Sequence, residues 1–234
     1  MREPLSIAAV QPACRAIDVA ANAQAHAEAV RAAQARVVVF PELSLTGYEL
    51  EAGAVGADDA ALAPIVRACV DTGAVALVGA SVAGADGREF IAILQVAAAG
   101  ARVAYRKSWL GDAECQRFSV GDGPTVLEID GWRLGLGICK DTGAAQHTVG
   151  TAALDVDAYV AGLVHQPQEV PEQEARAVVI ARTCRAYVVF AGFAGPTGDV
   201  FGETGGSSAI WSPDGVALAR AGSEVGDLAR AVLV

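Results

Sequence analysis

One cysteine of this chain lies where a nucleophile is expected. Cys139 follows the apolar run WRLGLGI at 132–138, and the polar residues Lys140 and Asp141 come directly after it. A buried strand would hold this cysteine rigidly, and the following turn would expose its sulfur and direct backbone N–H groups at an oxyanion. The pattern indicates nucleophilic catalysis by a thiol, and the alternative is a small cysteine of the core.

Two further apolar runs each end in a charged side chain. VVVF at 37–40 leads through Pro41 to Glu42, and ARVAYR at 101–106 leads to Lys107. A carboxylate among apolar neighbours loses hydration, which raises its pKa and suits it to act as a general base. A lysine near a thiol can stabilise a thiolate or an oxyanion as a fixed positive charge. Taken singly, each residue is also typical of a solvent-exposed surface position.

A second carboxylate and three histidines complete the set of candidate groups. Glu114 lies in a turn-rich segment shortly after the lysine, where it is placed to hold that lysine or to orient a substrate amine. His26 falls in an Ala-rich helical segment and is expected on the surface. His147 and His165 lie nearer the candidate site, so a papain-like Cys–His pair stays open as an alternative. No spacing is typical of a metal site, and no metal or other cofactor is predicted.

The elements that must position these side chains alternate between strands and helices. Apolar and β-branched runs predict strands, and Ala-rich segments with helical spacing predict helices. Turn signals such as Asp130-Gly131 predict hairpins. We therefore expect an α/β fold in which two mixed sheets pack face to face with helices outside. Strands are predicted over 5–10, 37–40, 74–78, 90–98, 102–105, 126–129, 132–138, 158–163, 187–192, 207–211 and 216–219, and helices over 17–34, 58–71, 148–154 and 169–184.

Composition limits the classes of function that remain. The 234 residues are 53% hydrophobic, which predicts a single domain over 1–234 with a sizeable core. Acidic residues outnumber basic ones 27 to 17, and no basic run is present, so a nucleic-acid partner is not expected. No apolar stretch approaches the roughly 20 residues that span a bilayer, so no membrane partner is expected. The five cysteines form no CxxC pair, and a cytoplasmic protein with reduced thiols is predicted.

Taken together and in order, these motifs resemble those of the nitrilase, or carbon–nitrogen hydrolase, superfamily. The segments that carry the resemblance are FPELSLTGY at 40–48, YRKSWL at 105–110, Glu114 with Phe118 and Gly121, GICKD at 137–141 and GGSSAIWSPDG at 205–215. The resemblance implies a four-layer αββα sandwich that pairs through a helical face into a homodimer or a higher homo-oligomer. It also implies a hydrolase that cleaves a non-peptide carbon–nitrogen bond without a metal.

The resemblance also implies roles for individual residues. Glu42 would deprotonate Cys139, and the thiolate would attack a small or medium linear amide, either a carboxamide or an N-carbamoyl compound. Lys107 and the backbone N–H of Lys140 would hold the oxyanion, and Glu114 would position the lysine. Ammonia or an amine would leave, and water would then cleave the thioester. The residues assigned to substrate binding are Tyr48, Lys140, Thr142 and His165.

The chain departs from the family pattern in two segments. Residues 142–147 read TGAAQH where the family commonly has a bulky residue, often arginine, and then Phe-Pro-Glu. We therefore expect a wider substrate pocket, open to accessible or larger amides. Residues 181–186 read ARTCRA and lack the family's acid–amide pair. A non-catalytic scaffold that acts as a binding protein and a nitrile hydrolase are the two alternatives. An isochorismatase-like thiol hydrolase is a further one, although its early aspartate, Asp18, falls in a helical segment.

Overall fold

Two six-stranded sheets form the frame of the molecule. The computed structural model describes residues 2–198 and 200–234. The first sheet has the strand order β12-β1-β2-β3-β4-β5, and the second has the order β11-β10-β9-β8-β7-β6. The strands are β1 Leu5–Val10, β2 Val37–Val39, β3 Val75–Ala83, β4 Glu89–Ala97, β5 Gly100–Arg106, β6 Thr125–Ile129, β7 Trp132–Ile138, β8 Ala158–Leu163, β9 Tyr187–Gly192, β10 Ala209–Trp211, β11 Ala217–Arg220 and β12 Leu228–Leu233.

Helices cover the outer face of each sheet. The four α-helices of the described ranges are α1 Val19–Ala33, α2 Ala63–Thr72, α3 Ala145–Ala152 and α4 Val170–Cys184. Alanine and valine side chains of α1 and α2 pack on the first sheet, and α4 packs on the second. None of the helices described in 2–198 and 200–234 is long and apolar enough to cross a membrane. The predicted four-layer αββα sandwich is confirmed.

Side-chain alternation along the central strands builds three separate cores. In β2, Val37 and Val39 point into the space between the sheets, whereas Val38 points toward the helices. In β8, Val160 joins the core between the sheets, and Tyr159 packs under α4. Because successive residues of a strand face opposite sides, a fully apolar run is required wherever both faces are covered. This is why the central strands lack a polar alternation.

The pairing pattern is mixed, as the turn signals predicted. Strands β1, β2 and β3 are parallel, as are β7, β8 and β9, and antiparallel hairpins extend both sheets outward. The main differences lie at boundaries. Strand β3 extends to Ala83 because it pairs with β4 from Ala76 to Ala83. Strand β10 begins only at Ala209, since Ser207 has a φ of 55°, which strand geometry does not allow.

Candidate active site

Two strand ends and a nearby turn bring charged side chains together between the sheets. Glu42 follows β2, Lys107 follows β5, and Glu114 lies in a short turn after the lysine. The Nζ atom of Lys107 lies 2.6 Å from Oε1 of Glu42 and 2.7 Å from Oε1 of Glu114. Glu42 and Lys107 are each only 1% exposed. The structure therefore brings the three predicted charged residues into one buried cluster, and the solvent-exposed alternative for each is wrong.

The Glu42 segment lies between two glycines, one from each sheet. A Cβ atom on Gly79 of β3 would lie 2.2 Å from the carbonyl oxygen of Pro41. A Cβ atom on Gly162 of β8 would lie 2.6 Å from the carbonyl oxygen of Phe40. Only glycine permits such close approach of two backbones. The general-base candidate is thus fixed by backbone packing on both sides.

His26 supports this segment from α1, so its predicted surface position is wrong. The ring is fully buried and stacks on Phe40, with a centroid distance of 4.2 Å. Its Nδ1 lies 2.6 Å from the carbonyl oxygen of Asn22, and its Nε2 lies 2.8 Å from Oγ of Ser44. Since a carbonyl can only accept, Nδ1 carries the proton and Nε2 accepts from the serine hydroxyl. Burial lowers the pKa of His26 to about 4, so the ring is neutral.

The two carboxylates of the cluster differ in their electrostatics. Burial raises the pKa of Glu42 to about 7, although the charge of Lys107 opposes the shift. Burial alone would also raise the pKa of Glu114, but the charge and hydrogen bond of Lys107 lower it below its usual value. Further hydrogen bonds reach Glu114 from Tyr48 at 2.5 Å and from the backbone of Gly111 at 2.6 Å. Glu114 therefore stays ionised at neutral pH, while Glu42 can exchange a proton.

The lysine is a permanent cation. Desolvation would lower the pKa of Lys107, but the charges of Glu42 and Glu114 hold it above its usual value. A buried ammonium between two carboxylates keeps its proton through the pH range in which Glu42 titrates. It can thus stabilise negative charge without acting as an acid or a base.

Cys139 occupies a strained turn directly after β7. Its φ is 39°, in the left-handed region that a non-glycine residue adopts at a cost of about 1–3 kcal/mol. The residue is half-buried, and its Sγ lies 3.4 Å from the carbonyl oxygen of Val164. Burial and the charge of Glu42 raise the pKa of Cys139 to about 12, so the resting group is a thiol. A base must therefore remove its proton before it can attack.

The free oxygen of Glu42 is the base that the geometry offers. Its Oε2 is buried and has no hydrogen-bond partner in the described part of the chain, whereas Oε1 is held by Lys107. The charge of Glu42 raises the pKa of the Cys139 thiol, so the two groups lie within electrostatic reach of each other. A carboxylate oxygen without a fixed partner beside a protonated thiol is arranged for proton transfer.

Asp141 is a buried site residue to which the sequence analysis assigned no role. Its Oδ1 accepts hydrogen bonds from the backbone N–H of Trp109 at 2.8 Å and of Ser108 at 3.2 Å. Its Oδ2 accepts from the backbone N–H of Ile138 at 2.9 Å. One carboxylate thus joins the segment after Lys107 to the turn of the cysteine. The sequence did hold a signal for this role, because an aspartate often caps a turn by accepting a hydrogen bond from the backbone N–H three residues earlier.

One predicted substrate-binding residue, Tyr48, lies at the charged cluster, and a second, Thr142, lies at the cysteine turn. Tyr48 donates its hydroxyl proton to Glu114, and its ring contacts that of Phe201 at a centroid distance of 5.4 Å. Thr142 donates a 2.7 Å hydrogen bond to the carbonyl oxygen of Cys139. Both residues therefore help to hold the groups around the thiol.

The other two predicted substrate-binding residues lie further out. The Lys140 side chain is exposed, and its Nζ lies 3.6 Å from Oδ1 of Asp112. His165 lines a small cavity between β9 and α4 that also contains Gln173, and its Nδ1 has no partner in the described residues. His147 has both ring nitrogens bonded to tyrosine hydroxyls. The recorded contacts of neither histidine include Cys139, so they give no support to a papain-like Cys–His pair.

The small residues after Cys139 open space on the far side of the turn. They line a groove of about 390 Å³ between α3 and α4, and none of Glu42, Lys107 and Cys139 lines it. This open space lies at the helical face, and the predicted width of the substrate pocket at the thiol stays a prediction. The groove is lined by Thr142, Gly143, Ala145, Thr148, Val149, Glu172, Ala175, Arg176, Val179 and Thr183.

Across 2–198 and 200–234, no group of three or more His, Cys, Asp or Glu side chains is arranged to hold a metal ion.

Comparison with known proteins gives one family. The carbon–nitrogen hydrolase family model matches residues 6–231. A protein of Pseudomonas protegens described as "Hydrolase in pqqF 5'region" is 31% identical over 229 residues. This match covers 93% of the chain and 79% of that protein.

Solved structures of the same family share the fold. A CN-hydrolase superfamily protein of Xanthomonas campestris, with an arsenic adduct in its active site, is 18% identical with a TM-score of 0.87, covering 99% of this chain and 91% of that one. Saccharomyces cerevisiae Nit3, of branch 10 of the nitrilase superfamily, is also 18% identical with a TM-score of 0.87, covering 99% and 90%. An amidase from Nesterenkonia sp. is 25% identical with a TM-score of 0.81, covering 98% and 90%.

Proposed function

The chain belongs to the carbon–nitrogen hydrolase family, and on that premise we propose that it hydrolyses a small or medium linear amide through a thioester on Cys139. The substrate class is a carboxamide or an N-carbamoyl compound, and the leaving group is ammonia or an amine. The similarity to a solved amidase supports an amide over a nitrile as substrate.

The observation that carries this proposal is the buried cluster of Glu42, Lys107 and Glu114 beside a thiol. Three ionisable groups within hydrogen-bond distance between two sheets cost desolvation energy, and buried ion clusters of this kind are weak evidence for stabilisation. An apolar core of the same volume is often equally stable or more so. Perturbed pKa values combined with an unpartnered carboxylate oxygen are typical of a catalytic centre.

The first half of the proposed reaction forms the thioester. Oε2 of Glu42 takes the proton of Cys139, and the sulfur attacks the carbonyl carbon of the amide. The negative charge that develops on the carbonyl oxygen is stabilised by Nζ of Lys107 and the backbone N–H of Lys140. Glu42 then returns its proton to the leaving nitrogen, the C–N bond breaks, and ammonia or an amine departs.

The second half releases the acid. Glu42, again ionised, removes a proton from water, and the hydroxide attacks the thioester carbon. The C–S bond breaks, and the proton on Glu42 passes to the sulfur, which restores the resting thiol. Glu114 stays ionised throughout and holds Lys107 in place, since its pKa is lowered while that of Glu42 is raised. Two carboxylates with opposite shifts can divide the roles of base and anchor.

Two further properties belong to the same proposal. Val149 of α3 and Val179 of α4 are 60% and 61% exposed beside the groove between these helices, and we expect two copies to pair across this face. Sedimentation velocity of the wild-type protein and of Val179→Glu tests the pairing, and a monomer in both cases contradicts it.

The five cysteines are all free, in keeping with a reducing cytoplasm.

Ammonia release from a panel of amides, N-carbamoyl compounds and nitriles tests the proposed activity. We expect turnover of an amide or carbamoyl compound, and none by Cys139→Ala, because the thioester cannot form without the sulfur. The matched control is Cys115→Ser, which removes an exposed thiol and should retain full activity. Turnover of nitriles alone would make the protein a nitrile hydrolase, and no turnover with any compound would favour the binding scaffold.

A further inference from the structure

A chain of buried hydrogen bonds surrounds the turn that carries Cys139. Tyr159 of β8 bonds Nδ1 of His147 at 3.0 Å, and Nε2 of His147 lies 3.0 Å from the hydroxyl oxygen of Tyr105. That hydroxyl lies 2.9 Å from Oδ2 of Asp141. All four side chains are buried, from 0% exposure for Asp141 to 3% for Tyr105. Neither tyrosine, nor His147, nor Asp141 has a role in the proposed proton transfers.

One arrangement of protons satisfies every member of this chain, with the Ser108 hydroxyl, 3.0 Å from the Tyr105 oxygen, as a second donor to that oxygen. The Asp141 carboxylate accepts from backbone N–H groups, so the single proton of the Tyr105 hydroxyl goes to Asp141. Nε2 of His147 must then donate to the Tyr105 oxygen, and Nδ1 must accept from Tyr159. The histidine is therefore neutral and is protonated on Nε2. A fully satisfied buried polar network specifies one geometry, because every displaced member leaves a partner unpaired.

The two ends of this chain meet the nucleophile turn on either side of the cysteine. At one end, a Cβ atom on Gly137 would lie 2.3 Å from the Tyr159 hydroxyl, so the hydroxyl occupies the space that only glycine leaves free. Gly137 is two residues before Cys139. At the other end, Asp141 is two residues after it and also bonds the backbone directly after Lys107. Asp141 therefore links the segment after Lys107 to the cysteine turn, and the same network holds the Asp141 side chain in place.

We propose that His147 is a positioning residue for the nucleophile. Acting through Tyr105 and Asp141, it holds the Cys139 turn against the segment that carries Lys107, at the separation that attack on an amide requires. This inference rests on the proposed function. His147 lies at the end of TGAAQH at 142–147, the segment in which the chain departs from the family pattern. A displacement of about 1 Å between reacting groups can cost about a hundredfold in rate.

The rate of Cys139 alkylation by iodoacetamide measures this role without a known substrate. Intact protein is treated with the reagent, and peptide mass spectrometry follows Cys139 and the exposed Cys115 in the same sample. We expect His147→Phe to slow Cys139 at least about tenfold while Cys115 reacts at the wild-type rate. His147→Gln keeps an N–H donor toward Tyr105 and should recover most of the loss. With any amide that the wild type hydrolyses, kcat should fall and KM should stay within about twofold.

Circular dichroism and thermal melting establish that each variant is folded before it is compared. Wild-type alkylation in a folded His147→Phe overturns the proposal, as does a His147→Gln variant as slow as His147→Phe. If His147→Phe does not fold, Tyr105→Phe and Tyr159→Phe each remove a single oxygen of the network. The matched control Tyr187→Phe removes a hydroxyl that bonds the chain end at Val234. Equal alkylation rates for all three tyrosine variants would then refute the role.

The two proposals fail in distinguishable ways. If the wild type hydrolyses no amide but His147→Phe still slows Cys139, the positioning role stands and the proposed activity falls. If amides are hydrolysed and the His147 variants are indistinguishable from wild type, the activity stands and the positioning role falls.

Discussion

The segments that carry the base and the nucleophile are built in opposite ways. Glu42 lies in a segment whose backbone is held by glycines of both sheets, and the carboxylate is 1% exposed. Cys139 lies on a turn with a φ of 39°, is half-buried, and has a groove on the far side of its turn. The base is therefore fixed by packing, while the nucleophile is fixed by a hydrogen-bonded network. Backbone packing excludes water and raises a pKa, whereas a network allows a side chain to stay open to a substrate.

Each segment is supported by a neutral buried histidine from the helical layer on its own side. His26 contacts the base segment directly, by stacking on Phe40 and bonding Ser44. His147 reaches the nucleophile turn only through Tyr105 and Asp141. We therefore expect substitutions on the two sides to differ: those at the base segment should change acid–base behaviour, and those at the nucleophile turn should change geometry.

The largest effect is expected from removing the base. Glu42→Gln should lower kcat by about a thousandfold or more, because no other group among the described residues is placed to take the thiol proton. Its matched partner is Glu114→Gln, which leaves the base but removes the anion that anchors Lys107 and should cost about tenfold to a hundredfold. Steady-state ammonia release measures both. Equal losses in the two variants would contradict the division of roles between the carboxylates.

The pH dependence of the wild type should reflect the raised pKa of Glu42. The ionised carboxylate is the active form, so kcat/KM should fall about tenfold per pH unit as the pH drops below about 7. Glu114 does not contribute to this limb, because its pKa is lowered. A profile measured from pH 5 to 9 tests the assignment. A rate that stays constant down to pH 5 would mean that Glu42 is not the base.

His26→Phe should alter stability more than catalysis. The pKa of His26 is lowered to about 4 in the folded state from 6.5, so between these values the unfolded chain binds more protons. The contribution of the neutral ring to the free energy of unfolding is fully present above pH 6.5 and is lost as the pH falls toward 4. Between pH 7 and pH 5 the loss is about 2 kcal/mol. Urea unfolding at both pH values should show a smaller acid destabilisation in the variant than in the wild type. An unchanged pH dependence would mean that the buried ring is not neutral.

The smallest effect is expected at the exposed rim of the nucleophile turn. Lys140→Ala removes a charge whose 3.6 Å contact with Asp112 is solvated on both sides, and such pairs contribute about 1 kcal/mol or less. Because the proposed oxyanion donor is the backbone N–H of Lys140, kcat should change by less than about threefold. A KM raised tenfold or more would instead show that the side chain binds substrate.

The sequence predicted the parts of the site that depend on strand ends. Apolar runs before Glu42, Lys107 and Cys139 placed all three directly after strands, and they follow β2, β5 and β7. The desolvation of Glu42 followed from its apolar neighbours, and its pKa is raised. The two-sheet architecture followed from mixed helix, strand and hairpin signals. These features are local in the sequence, or follow from apolar residues that recur every two residues in strands and every 3.6 residues in helices.

The supporting residues were missed because their roles depend on long-range contacts. His26 lies in an Ala-rich helix whose small side chains do not distinguish a buried face from an exposed one, and its partner Ser44 is 18 residues away. Asp141 bonds the backbone at 108 and 109 from another strand end, which no periodicity shows. The small residues at 142–147 predicted extra space, but only the fold shows that α4 lies across that space.

Rapid-quench intact-mass spectrometry tests the central claim most directly. The protein is mixed with the amide or carbamoyl compound that releases the most ammonia, acid-quenched within milliseconds to seconds, and digested to locate any adduct. The account predicts a transient mass increase equal to the acyl group, confined to Cys139, absent in Cys139→Ala and longer-lived in Glu42→Gln if any forms there. Ammonia release with no adduct on Cys139, or with an adduct on another residue, would contradict it.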